Sequence, residues 1–137
     1  PIILNFPPQN IQSITFSYPE KEFEINLSDQ GWILNGNPDL ILDSNKVGQY
    51  ANQTQLLLAD GFLTDEESKE VDFNQSDALI TFIPKPKTSS TITRIRLKQI
   101  DSNRVAIKNG NSPIIYYLNI GNAMELLVNE EKFLPSD

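Results

Sequence analysis

The sequence predicts an α+β domain built mostly of antiparallel β-meanders with two main helices. Period-two alternation of β-branched and aromatic residues recurs in both halves of the chain. Two stretches instead carry apolar residues at helical spacing. The resulting order is strands, helix, strands, helix, which is the α+β pattern. At 137 residues, the chain has the length of one domain. It divides into an extended lead-in over 1–10 and a single α+β domain over 11–137.

The lead-in holds Pro1, Pro7 and Pro8, and proline neither donates to a ladder nor allows a helix before it. Alternation then begins. Ile14, Phe16 and Tyr18 interleave with Ser13, Thr15 and Ser17; after the turn Pro19-Glu20-Lys21, Phe23, Ile25 and Leu27 interleave with Glu22, Glu24 and Asn26. The short spacer makes these a hairpin. Ser28-Asp29-Gln30-Gly31 turns into a third strand, Trp32-Ile33-Leu34, and Asn35-Gly36-Asn37-Pro38 is expected to break the sheet. Asp43 or Ser44 caps a helix over about 44–59, with Val47, Tyr50, Ala51, Leu57 and Leu58 on one face and Gly61 as its left-handed cap.

Thr64 followed by Glu67 is a capping box and starts a short helical turn. Ala78 to Ile83 resumes the strands, and Pro84 to Ser90 is a polar loop. In Thr91 to Ile100, Ile95 and Leu97 oppose Arg94, Arg96 and Lys98, and the phase slip at Ile92 predicts a bulge. Arg104 to Lys108 is joined through the turn signal Asn109-Gly110 to a strand over Ile114 to Leu118. Asn119 caps a last helix through Met124, Leu126, Leu127 and Val128. Ile14-Thr15-Phe16 and Ile80-Thr81-Phe82 are alike, and each is soon followed by proline and a basic turn. They point to a duplicated β-β-β-α unit.

Composition narrows the chemistry. The net charge is −7 and the pI about 4.5, so a phosphate backbone or anionic lipid surface is repelled and nucleic acid is not an expected partner. With no cysteine and no histidine, disulfides, thiolate metal sites, thiol nucleophiles and a classical catalytic triad are excluded. No apolar run approaches the ~20 residues that span a bilayer. The chain begins at Pro1 rather than Met, as expected of a processed or trimmed product, compatible with an upstream signal peptide or anchoring helix that was removed.

Four side-chain groups are candidates for more than folding. Asp60, Asp65, Glu66, Glu67, Glu70, Asp72 and Asp77 offer oxygen ligands, but they lack the alternate-position carboxylates of a calcium loop and read as a solvated face. Two acids among the eighteen would suffice for glycoside hydrolysis, yet no pair is singled out. Arg94, Arg96 and Lys98 share one strand face and form the candidate interaction surface; the plainer reading pairs them with Glu22 and Glu24 on a neighbouring strand. Trp32 suits a sugar platform or, more simply, a core anchor, while Tyr116 and Tyr117 point to opposite faces of one strand. The Asn-x-Ser/Thr triplets at Asn26, Asn52 and Asn74 are short enough to arise by chance in an Asn-rich chain. No catalytic residue, cofactor or metal is assigned.

The strands Ile11 to Phe16 and Phe23 to Leu27, the stretch Gly31-Trp32-Ile33-Leu34, and the helix entry Leu42-Asp43-Ser44-Asn45-Lys46-Val47 leading to Leu56-Leu57-Leu58 together resemble the bacterial domain-of-unknown-function family 4340. The resemblance spans most of residues 11–134. It implies an extracytoplasmic envelope protein, periplasmic and commonly held by an N-terminal membrane segment, with some members accompanying transporter components linked to gliding motility. The expected function is that of a non-catalytic domain that binds another protein or scaffolds an assembly. The alternative is a carbohydrate-binding or carboxylate-dependent glycan-processing domain.

Overall fold

The computed structural model describes residues 3–136. Its strands are β1 (Ile11–Ser17), β2 (Glu22–Ser28), β3 (Gly31–Leu34), β4 (Asn37–Ile41), β5 (Gly61–Phe62), β6 (Ala78–Pro84), β7 (Thr93–Gln99), β8 (Arg104–Asn109) and β9 (Tyr116–Asn119). The helices are α1 (Ser44–Leu56), α2 (Asp65–Lys69) and α3 (Ile120–Leu126), with 3-10 turns at Pro8–Asn10, Phe73–Gln75 and Glu130–Phe133. Among the described residues these nine strands form one antiparallel sheet in the order β4-β3-β2-β1-β6-β7-β8-β9-β5. The α+β class is therefore as the alternation predicts.

Apart from β5 at the far edge, the order is symmetric about the β1–β6 seam. Four meander strands followed by α1 lie on one side, and four followed by α3 on the other. At the seam Ile14 faces Phe82, Thr15 faces Thr81 and Phe16 faces Ile80. The two similar tripeptides are thus antiparallel neighbours, and the meander before each of α1 and α3 has four strands rather than three. The fourth strand of the first unit exists because Asn35-Gly36 does not end the sheet. Both residues have positive φ, 54° and 69°, forming the tight turn that matches strand twist. Pro38 is tolerated in β4 because that strand is an edge.

Other boundaries move for physical reasons. Ile92 lies in the loop before β7, so its phase slip is not a bulge, and the register shifts fall instead between Ile11 and Ser13 in the β1–β6 pair and between Ile33 and Leu34 in the β3–β4 pair. α1 stops at Leu56, before Leu58, which is exposed. From there the chain runs extended to reach the edge of β9, with Asp60 N–H donating to Tyr117 O, so Gly61 is a strand residue and not a helix cap. α3 ends at Leu126, and Asn119 gives it no side-chain cap; the Asp60 carboxylate accepts from Asn119 N–H instead.

One sheet face carries the core. Ile14, Phe16, Phe23, Ile25, Ile80, Phe82, Ile95, Leu97 and Ile107 pack under Tyr50 of α1, Leu126 of α3 and Phe133. Phe16 stacks on Phe23 at 4.6 Å, and Tyr50 meets Phe133 edge-on at 5.4 Å. The lead-in joins this core. Ile3, Leu4 and Phe6 are buried, so the packed unit includes residues N-terminal to 11. The start of the expected lead-in, Pro1 and Ile2, lies outside the described residues.

Candidate interaction surfaces

A folded segment covers the opposite sheet face at one end, and toward the other end Ser13 and Ile33 on the same face are also buried. At the first end the segment after β5 folds back, so that Leu63, Ala106 and Ile115 make a second small cluster with Val71, Phe73, Ile100 and Tyr117 at its border. Over β2, β1, β6 and β7 this face carries mostly exposed or half-buried polar side chains.

Because Ile95 and Leu97 are drawn into the core, alternation puts Arg94, Arg96 and Lys98 on that uncovered face, as the sequence predicts. Glu22 and Glu24 lie on the same face, but they do not neutralise the stripe. β1 and β6 stand between β2 and β7, and three strand spacings amount to ~14 Å. That exceeds the ~8 Å screening length at physiological salt. The expected pairing is therefore absent. Glu24 and Glu22 instead lean toward Thr15 and Ser17, each accepting a hydroxyl hydrogen bond at 3.4 Å. Among the described residues only Lys98 of the stripe has an acid partner, Asp77 at 3.9 Å.

The acidic segment is dispersed into structural work. Asp60 accepts from Asn119 N–H and the Asn122 side chain, Asp72 accepts from Asn74 N–H, and Asp77 accepts from Gln99 N–H. Thr64 and Glu67 complete the capping box of α2. Among the described residues no three of His, Cys, Asp or Glu gather closely enough to hold a metal ion.

Sequence reasoning missed the role of Arg104. Its guanidinium binds Asp101 at 2.8 Å and Glu67 at 3.0 Å and lies over the Tyr117 ring at 5.3 Å. The Thr64 N–H, and then Arg104, hold the Glu67 carboxyl below its ordinary value. Asp101 is lowered by the Asn103 N–H and then by Arg104. Arg104 and Glu67 border a crevice of about 260 Å³ with Glu70, Asp72, Lys98 and Gln99. A glycosidase acid must hold its proton near neutral pH. Glu67 is shifted the other way, and the cations of the crevice already have carboxylate partners.

A second concavity is apolar. It measures about 540 Å³ and lies beside β5, the far edge of the sheet, between Phe62, Leu63, Pro113, Ile114, Ile115 and Tyr116, with Thr64, Asp65 and Ser68 at its polar side. Phe62 is 70% and Ile114 51% exposed. Tyr116 lines this groove while Tyr117, on the other face, packs against Gly61 and Arg104. Trp32 is half-buried against the main core. The groove had a weak sequence signal, the apolar pair Ile114-Ile115 after Pro113 facing Phe62-Leu63.

Comparison with protein-family profiles, with curated protein sequences and with solved structures finds no match to this chain. Among the described residues no helix is long and apolar enough to cross a membrane.

Proposed function

We propose that this domain is a non-catalytic protein-binding module that seats an extended segment of a partner in the groove beside β5. The observation that carries the reading is the exposure of Phe62 and Ile114 at an open sheet edge. An edge strand presents unpaired backbone groups to which a further strand can add. Burying what these two side chains still expose contributes about 1–2 kcal/mol each. Asp65 in the groove wall, with Glu66 next to it on α2, favours a segment whose apolar residues are flanked by Lys or Arg.

The resemblance to the envelope family supports placing this interaction in a bacterial periplasmic assembly. Selection of displayed random peptides on the intact domain tests the binding claim. Enriched peptides are expected to combine apolar and basic residues and to lose at least about tenfold in affinity toward Phe62→Ala and Ile114→Ser. Peptides that bind both variants as well as the parent domain would remove the groove from the reading.

A further inference from the structure

The uncovered sheet face is self-complementary in charge. Strand register fixes two rows of side chains across its four central strands. One runs Glu24, Thr15, Thr81, Arg94; the next runs Glu22, Ser17, Leu79, Arg96. Each row is acidic at the β2 end, uncharged in the middle, and basic at the β7 end. The midpoint of both rows is the β1–β6 seam.

A half-turn about an axis parallel to the strands and above that seam exchanges the ends of a row while keeping its level along the strands. Applied to a second copy laid face to face, it sets Glu24 of one copy over Arg94 of the other, and Glu22 over Arg96. The two-fold makes each encounter twice, which is the isologous arrangement of a symmetric dimer. Stacked sheets lie ~10 Å apart, a gap that a facing glutamate and arginine can close, whereas within one copy the acidic and basic strips stay ~14 Å apart. The same half-turn sets Leu79 of each copy over Ser17 of the other, so the one large middle residue meets a small one. Within the described residues, Glu22, Glu24, Arg94 and Arg96 form no ion pair of their own.

We propose that two copies of this chain associate through these faces, the acidic β2 of each lying on the basic β7 of the other. The surface is distinct from the β5 groove and the inference does not rest on it. Four strands of seven residues offer about 450 Å² per copy, about 900 Å² in all, near the lower limit for a specific contact. The dimer is accordingly weak, reversible and sensitive to salt.

Sedimentation equilibrium of the whole chain from about 10 μM to about 1 mM tests this. The mass should rise from 15.5 kDa toward twice that value and fall back when salt is added. Glu24→Lys and Arg94→Glu, each first shown to give a cooperative melting transition, should weaken self-association by at least about tenfold when alone. An equal mixture of the two should recover it, because lysine at 24 then meets glutamate at 94 while the untouched Glu24 meets Arg94. The chain carrying both changes should dimerise as the parent does. A parent chain that stays monomeric throughout overturns the proposal. So do single variants that associate unchanged, or a mixture that stays apart.

Discussion

Thr15 and Thr81 stand directly opposite each other on the two central strands, at corresponding positions of the two halves of the fold. Their neighbours Ile14 and Phe82 point into the core, and the threonines themselves point to the uncovered face. The pair therefore marks both the centre of the sheet and the side without helices. Substitution at the two kinds of position should differ sharply. Phe82→Ala is expected to cost about 3–5 kcal/mol. Thr81→Ala removes only a cross-strand contact and should cost about 0.2–1 kcal/mol. Urea unfolding reads both, and similar costs would mean that the covered face is misassigned.

Tyr50 is wholly buried, and its hydroxyl donates to the carbonyl of Leu126 at 2.8 Å, joining α1 to the end of α3. Tyr50→Phe should destabilise by about 0.5–1.5 kcal/mol through the lost hydrogen bond, with little loss of packing, because the Leu126 carbonyl still accepts from Val128 N–H. A crystal structure of that variant should retain the ring position.

The same tyrosine and Tyr18 set an alkaline limit. Burial raises Tyr18 to about 12 and lifts Tyr50 well above its usual value. An unfolded tyrosine ionises near about 10, so the folded state holds these protons more tightly. Their contribution is complete below about pH 10 and is lost as the pH rises toward 12. Melting temperature followed across that interval should fall, and fall less steeply in Tyr50→Phe. A flat profile would contradict the burial of both hydroxyls.

Arg104 should be readable by titration. In Arg104→Met the Glu67 carboxyl should move up toward its ordinary value but not reach it, because the Thr64 N–H, the larger cause of the shift, remains. Asp101 should behave likewise through the Asn103 N–H. Carbon-detected NMR titration of the two carboxyls measures this; an unchanged Glu67 would show that the ion pair is not formed in solution.

A methyl group at Gly61 would overlap the Tyr117 ring. Gly61→Ala should therefore cost about 1–3 kcal/mol by overpacking. The cost should shrink in a Tyr117→Ala background, where the ring is gone, and the double-mutant cycle exposes that coupling.

Much of the sheet was legible because it buries one face only, which imposes period two on β1, β2, β6 and β7. The capping box at Thr64 was legible because its chemistry is local. β4 was not, since all five of its residues are exposed and none alternates. Nor was the role of Ile3, Leu4 and Phe6, whose apolar character is hidden among prolines. The stripe Arg94, Arg96, Lys98 could be placed on one face by alternation. Its separation from Glu22 and Glu24 could not, because that depends on β1 pairing with β6, a contact between distant segments that periodicity does not encode.

The central claim is that this domain acts by seating a partner strand at the edge of β5. Backbone amide hydrogen exchange, with and without a peptide selected on the domain, tests it most directly. The claim predicts new protection confined to residues 61–65 and 113–116. Protection elsewhere, with the outward-facing amide of Phe62 exchanging as before, would contradict it.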